Sequence, residues 1–521
     1  VSNHPTVEER IGHGVLRTAL VAAAVVVALS SFYVAPKLAE RIEGTRTTAV
    51  AADGQPGSLA SANPSGDAAG KTGVSKAGGG GGGGAGNATP RSGLSCTGDN
   101  GGKTDVGVDS KSVNLAGTEV ESGIGASFLG PVHYGIQAVL QKVNREGGVC
   151  QRQVHLVLKD DGWDTQRGRN FLRNFIDSNQ YFALAVVPSS NGLDSAATGH
   201  DIENAQDPVR GGTGIPVIGT DGMLNSQYSN PWIWPVAAST ATSMRIMAHD
   251  AVVRAKKQYG GGYTPHLGIV YDQTYPFGPE GAGAFVNEAR REGATVDQPQ
   301  CTVALQAGQN GYGTQAKGFN DSCGEQSGHP VDFVALLLEP QTAETWLRET
   351  PFLGTTASGK GLGFGGPQPL FDKNFADHCG ATCNNMEVWT SFFPPINPYD
   401  QQKDVRTFKA DLCAVDNNCE VDALSAFTES GYVGMELVVE SLTRTSPDLT
   451  RDRLRATLDS TSGWNNGLTG PLTWKKGNHL ANTSMVAFRD TYSGGAASFQ
   501  NLFDSQYTDP CASCHDAALG S

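Results

Sequence analysis

From Lys103 onward, short apolar segments alternate with amphipathic ones, and this alternation restricts the fold more than any other feature of the chain. His133 to Arg145 places Ile136, Val139, Leu140 and Val143 at i, i+3, i+4 and i+7, which predicts a helix with one buried face. Gly147-Gly148 stops it, and Val154 to Leu158 reads as a buried strand. Asp160-Asp161-Gly162 ends that strand, and Phe171, Leu172, Phe175 and Ile176 mark a second amphipathic helix. Phe182 to Val187 is a further apolar strand, followed by the polar loop Pro188-Ser189-Ser190-Asn191-Gly192. The pattern goes on with strands at 216–218, 267–271 and 331–338, and helices at 239–257, 282–292 and 342–349. Parallel neighbours need a crossover, and a helix supplies it, so the body is expected to be α/β, with parallel sheets flanked by helices. In such sheets ligands bind beyond the carboxyl ends of the strands, which directs attention to the loops after them.

The chain begins differently. Residues 15–36 are apolar apart from a few positions such as Arg17, Thr18, Ser30 and Ser31. About 20 residues suffice to cross a bilayer as a helix. A cleaved signal peptide is the competing reading, but its apolar region usually runs to only about 7–15 residues. The A-x-A-like site Ala49-Val50-Ala51 lies well beyond the end of this one. The Leu94-Ser95-Cys96 sequence resembles a lipobox, yet no apolar segment directly precedes it. Residues 1–14 are therefore read as a cytoplasmic N-terminus and 15–36 as a membrane anchor. Residues 37–95 form a Gly/Ala/Ser-rich tether that includes Gly78 to Gly84 unbroken and cannot bury enough surface to fold.

Formal net charge is −14, with acids and bases interspersed and no basic stripe. Phosphate binding needs such a stripe, so nucleic acid is not expected as a partner, and the acidity reads as solubility. Ten cysteines group along the chain as Cys96 with Cys150, Cys301 with Cys323, Cys379 with Cys383 and Cys413 with Cys419, leaving Cys511 and Cys514 in the tail. The first eight read as structural disulfides of an oxidising compartment, with connectivity open. They place the body on the extracytoplasmic side of a single-pass membrane protein.

At this point the residues carry a resemblance. Val143-Asn144-Arg145-Glu146-Gly147-Gly148-Val149 leads into Val154–Leu158 and Asp160-Asp161; then come Pro188-Ser189-Ser190, Ile215-Pro216-Val217-Ile218 and Ile269-Val270-Tyr271-Asp272. Later, Phe427 to Leu442 and Leu468-Thr469-Gly470-Pro471-Leu472-Thr473-Trp474 agree. Taken in order, these segments resemble the type I periplasmic binding proteins, in particular the leucine/isoleucine/valine-binding branch of ABC transporter substrate-binding proteins. The resemblance implies two lobes, 96–237 plus 391–468 and 238–390 plus 469–503, joined by three hinge crossings. Residues 504–521 remain as a C-terminal tail. It also implies a small polar solute (an amino acid, amide or organic acid) held between the lobes and handed to a membrane permease. Some members of such families are sensors instead.

The resemblance further implies ligand-binding positions. Ser189, Ser190 and Asn191 match the loop that holds a ligand carboxylate, and short polar side chains with free N–H groups at a helix start suit an anion. An ordinary turn or helix cap is the plainer alternative. Asp221, Gly222 and Met223 fall where amino-acid binders present a backbone carbonyl and a hydroxyl; here Met223 replaces the hydroxyl. Tyr275 and Phe277 lie in the loop that supplies a covering aromatic, with local packing as the alternative. Gln368 stands where amino-acid binders place a Glu against the ligand ammonium, and an amide offers no charge pairing.

Other signals carry less. Cys511-Ala512-Ser513-Cys514-His515 fits the c-type haem attachment pattern, although only six residues follow it, and a terminal disulfide or a Zn-binding tail would fit too. The glycine-rich 361–366 precedes no strong helix, and no catalytic or other metal-binding spacing is present. The expectation is an anchored, non-enzymatic solute-binding protein without a cofactor, serving an ABC-type importer. A membrane-tethered sensor and a redox protein carrying haem on its tail are the alternatives.

Overall fold

The computed structural model describes Cys96 and residues 99–188, 190–324, 327, 330–351, 363–502 and 506–511. The segments read as anchor and tether lie outside these residues. Among the described residues no helix is long and apolar enough to cross a membrane.

The first lobe is built on strands β1 (Ser112–Glu119), β2 (Gln153–Asp160), β3 (Ala183–Ala185), β4 (Val217–Ile218) and β5 (Ile233–Trp234). They form one parallel sheet in the order β2-β1-β3-β4-β5. Helices α1 (Val132–Arg145), α2 (Thr165–Ser178), α3 (Ser190–Thr198) and the short α4 (Asn225–Ser229) are its crossovers. Helix α1 buries Ile136, Val139, Leu140 and Val143, the stripe its periodicity predicts. Strand β1 has no continuous apolar run, because Gly117 and polar residues break it. Gly117 is needed there: a Cβ would lie 2.5 Å from the Ala185 carbonyl oxygen.

The second lobe begins with α5 (Thr240–Tyr259), continues through β6 (Leu267–Asp272), α6 (Phe277–Arg291), β7 (Thr302–Leu305), α7 (Gly313–Cys323), β8 (Phe333–Leu337), α8 (Pro340–Glu349), β9 (Gly363–Gly366) and α9 (Lys373–Cys379), and ends at β10 (Glu387–Thr390). The chain then returns to the first lobe as α10 (Lys403–Cys413), α11 (Ala426–Thr445) and α12 (Arg451–Asp459). It finishes in the second with β11 (Ser484–Ser493), β12 (Ala496–Asn501) and β13 (Tyr507–Thr508). The second sheet runs β12-β11-β10-β9-β8-β6-β7, parallel from β10 to β7 and antiparallel at β11 and β12, with β13 on β11. It is thus not purely parallel, because β11 and β12 join as a hairpin that needs no crossover. Disulfides link Cys96 with Cys150, Cys301 with Cys323, Cys379 with Cys383 and Cys413 with Cys419, the grouping suggested by sequence.

Three passages join the lobes, and side-chain hydrogen bonds tie them together. Ala238 N donates to Ser391 Oγ at 3.0 Å, while Asn482 Nδ2 donates to Val236 O at 3.1 Å and to Ser391 O at 3.4 Å. The third passage comes later in the chain than 468/469. Up to His479 the chain still bonds first-lobe backbone, through Trp474 Nε1 to Pro235 O at 3.0 Å and His479 Nδ1 to Ile233 O at 2.6 Å.

Helix α11 reaches the mouth of the first lobe because it lies unusually close to its neighbours. A Cβ on Gly135 of α1 would stand 2.1 Å from the Thr428 carbonyl, and one on Gly434 would stand 2.1 Å from that of Gly219. Both obstacles are backbone, which cannot swing aside. Gly135→Ala should therefore destabilise the fold by about 1–3 kcal/mol through overpacking. Urea unfolding followed by circular dichroism checks this, and an unchanged midpoint would mean that α1 and α11 do not meet at Gly135.

Candidate functional site

The carboxyl ends of both sheets face a cleft, and aromatic side chains cross it. Trp163 follows β2 and is only 2 % exposed. Asp161 Oδ1 accepts from its backbone N–H at 2.9 Å, and its φ is 61°, a conformation uncommon for a bulky residue. Its indole lies 4.3 Å from the ring of Tyr275 and 6.3 Å from that of Phe277, both in the second lobe. Behind it, Phe128 packs edge-on at 5.3 Å and meets Phe427 of α11 at 5.6 Å. A row of rings therefore runs from α11, through the first lobe, into the second.

Two polar contacts flank this row. On one side the N–H of Asn225, at the start of α4, donates to Glu280 of α6 at 3.1 Å. Burial, with the Asp194 carboxylate adding to it, pushes the Glu280 carboxyl up to about 7 against the pull of that N–H and of Arg245. On the other side Ala426 N donates to Phe371 O and Lys373 N to Leu424 O, both at 3.0 Å. Asn374 Nδ2 donates to Asp422 Oδ1 at 3.1 Å beside them. Burial raises Asp372 to about 6; Asp422 is also raised to about 6, by burial first and then by the neighbouring Asp416. The lobes are thus in contact along both edges of the cleft.

The sequence-derived positions fall into distinct groups. Tyr275 and Phe277 come together with Trp163, a residue that the sequence reading did not single out. Asn191, in the first turn of α3, is 2 % exposed, and neither its amide nitrogen nor its oxygen has a hydrogen-bond partner. Ser189 and the Ser190 side chain lie outside the described residues; the Ser190 backbone opens α3. Asp221, Gly222 and Met223 lie against the first passage. The carbonyls of Asp221 and Met223 already accept from Ala237 N at 3.2 Å and Thr240 N at 2.9 Å. Asp221 is buried, takes a hydrogen bond from Thr220 Oγ1 at 3.4 Å, and is pushed up to about 8 by burial, so at neutral pH it is largely uncharged. Gln368 is half-buried and opens a tight turn whose first carbonyl accepts from Phe371 N at 3.0 Å. That turn leads directly into the contact with α11. Among the tail positions, Cys511 is 8 % exposed and disulfide-bonded. Cys514 and His515 lie outside the described residues.

Two α/β lobes, three passages between them and contacts at the strand ends coincide with a match of residues 112–496 to the family model for periplasmic binding proteins. The chain belongs to the type I periplasmic binding protein family. Members of this family bind solutes and are not catalysts, and a solute-binding role follows for the chain. Its fold is similar to that of a fatty acid ABC transporter substrate-binding protein from Thermomonospora curvata, with TM-score 0.60 and 18% identity over 79% of this chain and 97% of that one. A leucine-binding protein from Thermotoga maritima gives 0.58 and 16% over 76% and 99%. A solute-binding protein from R. palustris, in complex with 4-hydroxybenzoate, gives 0.61 and 13% over 77% and 98%. No curated protein matches the sequence. At such identities the likeness speaks for the fold alone.

The raised Glu280 carboxyl has a consequence with a definite sign. Its value moves from 4.5 to about 7, so the folded protein keeps a proton that the exposed group gives up. The relative stability is full below 4.5, is lost progressively as pH rises towards 7, and then levels off. Glu280→Gln keeps an acceptor for Asn225 without that loss. The variant should melt about 3–4 °C above the parent at pH 8, for a difference of about 3 kcal/mol, and level with it near pH 4.5. Scanning calorimetry at both values decides; a difference independent of pH would remove Glu280 from the contact.

Proposed function

We propose that this binding protein captures a small polar solute in the interlobe cleft and hands it to the permease of an ABC-type importer. The supporting observation is the set of buried polar groups at the cleft that lack partners: both polar atoms of the Asn191 side chain and Nε1 of Trp163. Buried polar atoms are as a rule hydrogen-bonded, and leaving one unpaired costs roughly 1–3 kcal/mol. A solute lying between the lobes would satisfy them and would touch both sides of the closure at once. Binding proteins of this build close about a hinge when the ligand bridges the two lobes.

The three solved relatives are named for a fatty acid, for leucine and for 4-hydroxybenzoate, so one fold serves quite different solutes. What this cleft accepts is decided by its own side chains, with Trp163, Tyr275 and Phe277 as apolar walls and Asn191 as the polar anchor. In this reading segment 15–36 holds the protein at the membrane, residues 37–95 give the body reach, and the body works without a cofactor.

The test is calorimetric titration of the full-length protein with solutes selected by a thermal-shift screen of amino acids, amides, organic acids and polyols. Trp163→Ala should weaken the best binder at least tenfold, about 1.4 kcal/mol. Replacing Ser189 and Ser190 together by Ala should do the same. Unchanged affinity in the Trp163 variant would move the binding site away from the ring row. Unchanged affinity in the serine variant would take that loop out of it.

A further inference from the structure

The strand-end loops that face the cleft have an unusual charge balance. Segments 120–125, 161–164, 186–191, 219–224, 235–239, 273–276, 306–312, 338–339 and 367–372 contain no Lys or Arg. They do contain Glu121, Asp161, Asp164, Asp221, Glu339 and Asp372. None of these segments itself offers a side-chain cation to an anionic solute, although Arg245 lies near Glu280 at one edge of the cleft.

A second observation comes from α11. Glu429 stands in its first turn with 0 % exposure, and neither carboxyl oxygen has a hydrogen-bond partner. Burial alone holds this carboxyl well above the usual carboxylate range. An ionised carboxylate could not stay there unpaired, because isolated buried charge is far too costly. The turn that carries Glu429 is fixed on both sides by cleft elements. Ala426 N bonds Phe371 O, three residues beyond Gln368, and the Phe427 ring leads through Phe128 and Trp163 to Tyr275. Asp490 is likewise buried with both oxygens unpaired, but it lies on β11 within the second sheet, away from the strand ends that form the cleft.

We propose that the solute taken up between the lobes carries a protonated amine, and that Glu429 is the carboxylate that pairs with it. The inference rests on capture in the cleft and adds the charge of the solute. Gln368 supplies no charge in the second lobe, and Glu429 supplies it from the first. On binding, the carboxyl O–H bond breaks, the proton leaves to solvent, and the ammonium group takes its place as the neighbour of the carboxylate. The faces of Trp163, Tyr275 and Phe277 favour the same cation through their ring quadrupoles. Glu429 is thereby a specificity-determining residue, since a carboxylate or an uncharged solute gains nothing from its ionisation.

The experiment is a thermal-shift and calorimetry series on the full chain and on its Glu429→Gln variant. The probes are butylamine, putrescine, tetramethylammonium, leucine, glycine betaine, butyrate, benzoate, butyramide and glycerol. Gln has the shape of the protonated Glu, so the ligand-free variant should melt with the parent. The expected result is stabilisation by ammonium-bearing probes, lost by about a hundredfold in Kd in the variant. Titration of the parent in two buffers of different ionisation enthalpy should show proton release at neutral pH, a readout that stands even if the variant folds poorly. Stabilisation by butyrate, benzoate or butyramide, equal in both proteins and without proton release, would overturn the amine assignment while leaving capture intact. No response to any probe from folded protein would count against capture itself, and the amine assignment would fall with it.

Discussion

The carboxamide of Asn482 holds the two-lobed arrangement together. From the third passage it reaches a carbonyl of the first passage at Val236 and one of the second at Ser391. Ser391 in turn accepts from Ala238 through its hydroxyl. Three chain crossings thus become one buried knot whose polar groups satisfy one another, and such groups are costly to separate in a low-dielectric interior. With the passages tied to each other, rotation about the knot is the motion expected of a hinge formed by a few residues. Trp474 and His479 extend the anchorage along the first lobe and keep the third passage on its surface until just before β11.

What the hinge allows, the cleft edges oppose or favour by different physics. The ring contact between Trp163 and Tyr275 is apolar and insensitive to pH or salt. The backbone bonds of Phe371 with Ala426 and of Lys373 with Leu424 are neutral and directional. The Glu280 contact and the acidic pair beside α11 involve carboxyls that closure strips of water. A closed form so composed gains from apolar burial and loses from carboxylate desolvation, which keeps the net balance small. A balance near zero is useful to a binding protein, because a solute can then decide it with a modest differential affinity.

The α/β body was legible because its signal is periodic. The helix at His133–Arg145 and the strands near Val154 and Leu267 announce themselves through spacing alone, and the cysteine grouping followed from their separation along the chain. Strand β1 escaped because Gly117 serves a close approach rather than a core. Most of the site escaped for a different reason. Trp163 becomes meaningful only when a left-handed backbone turns it toward a loop far along the chain. Asp221 and Met223 resemble a ligand loop, yet their carbonyls are occupied by the hinge. Glu429 sits in a helix of ordinary amphipathic appearance, and its burial follows from glycine contacts at Gly135 and Gly434 that draw α11 in. Each of these depends on tertiary neighbours, which local pattern does not encode.

The carboxyls at the lobe boundary carry a common argument. Asp221 at about 8, Glu280 at about 7, and Asp372 and Asp422 at about 6 are all raised, and burial is the first cause of each. Asp221 is internal to the first lobe, away from the contacts between the lobes. The other three lie at contacts between the lobes, so opening would return them to water and towards ordinary values. A closing motion that strips these carboxyls of water would favour their protonated forms, and acid would help it. A solute that brings its own positive charge changes that relation, since it takes over at the carboxyls the part that protons otherwise play. If the solute is an amine, as proposed, the acidic lining would couple the charge of the cargo to the closing of the lobes.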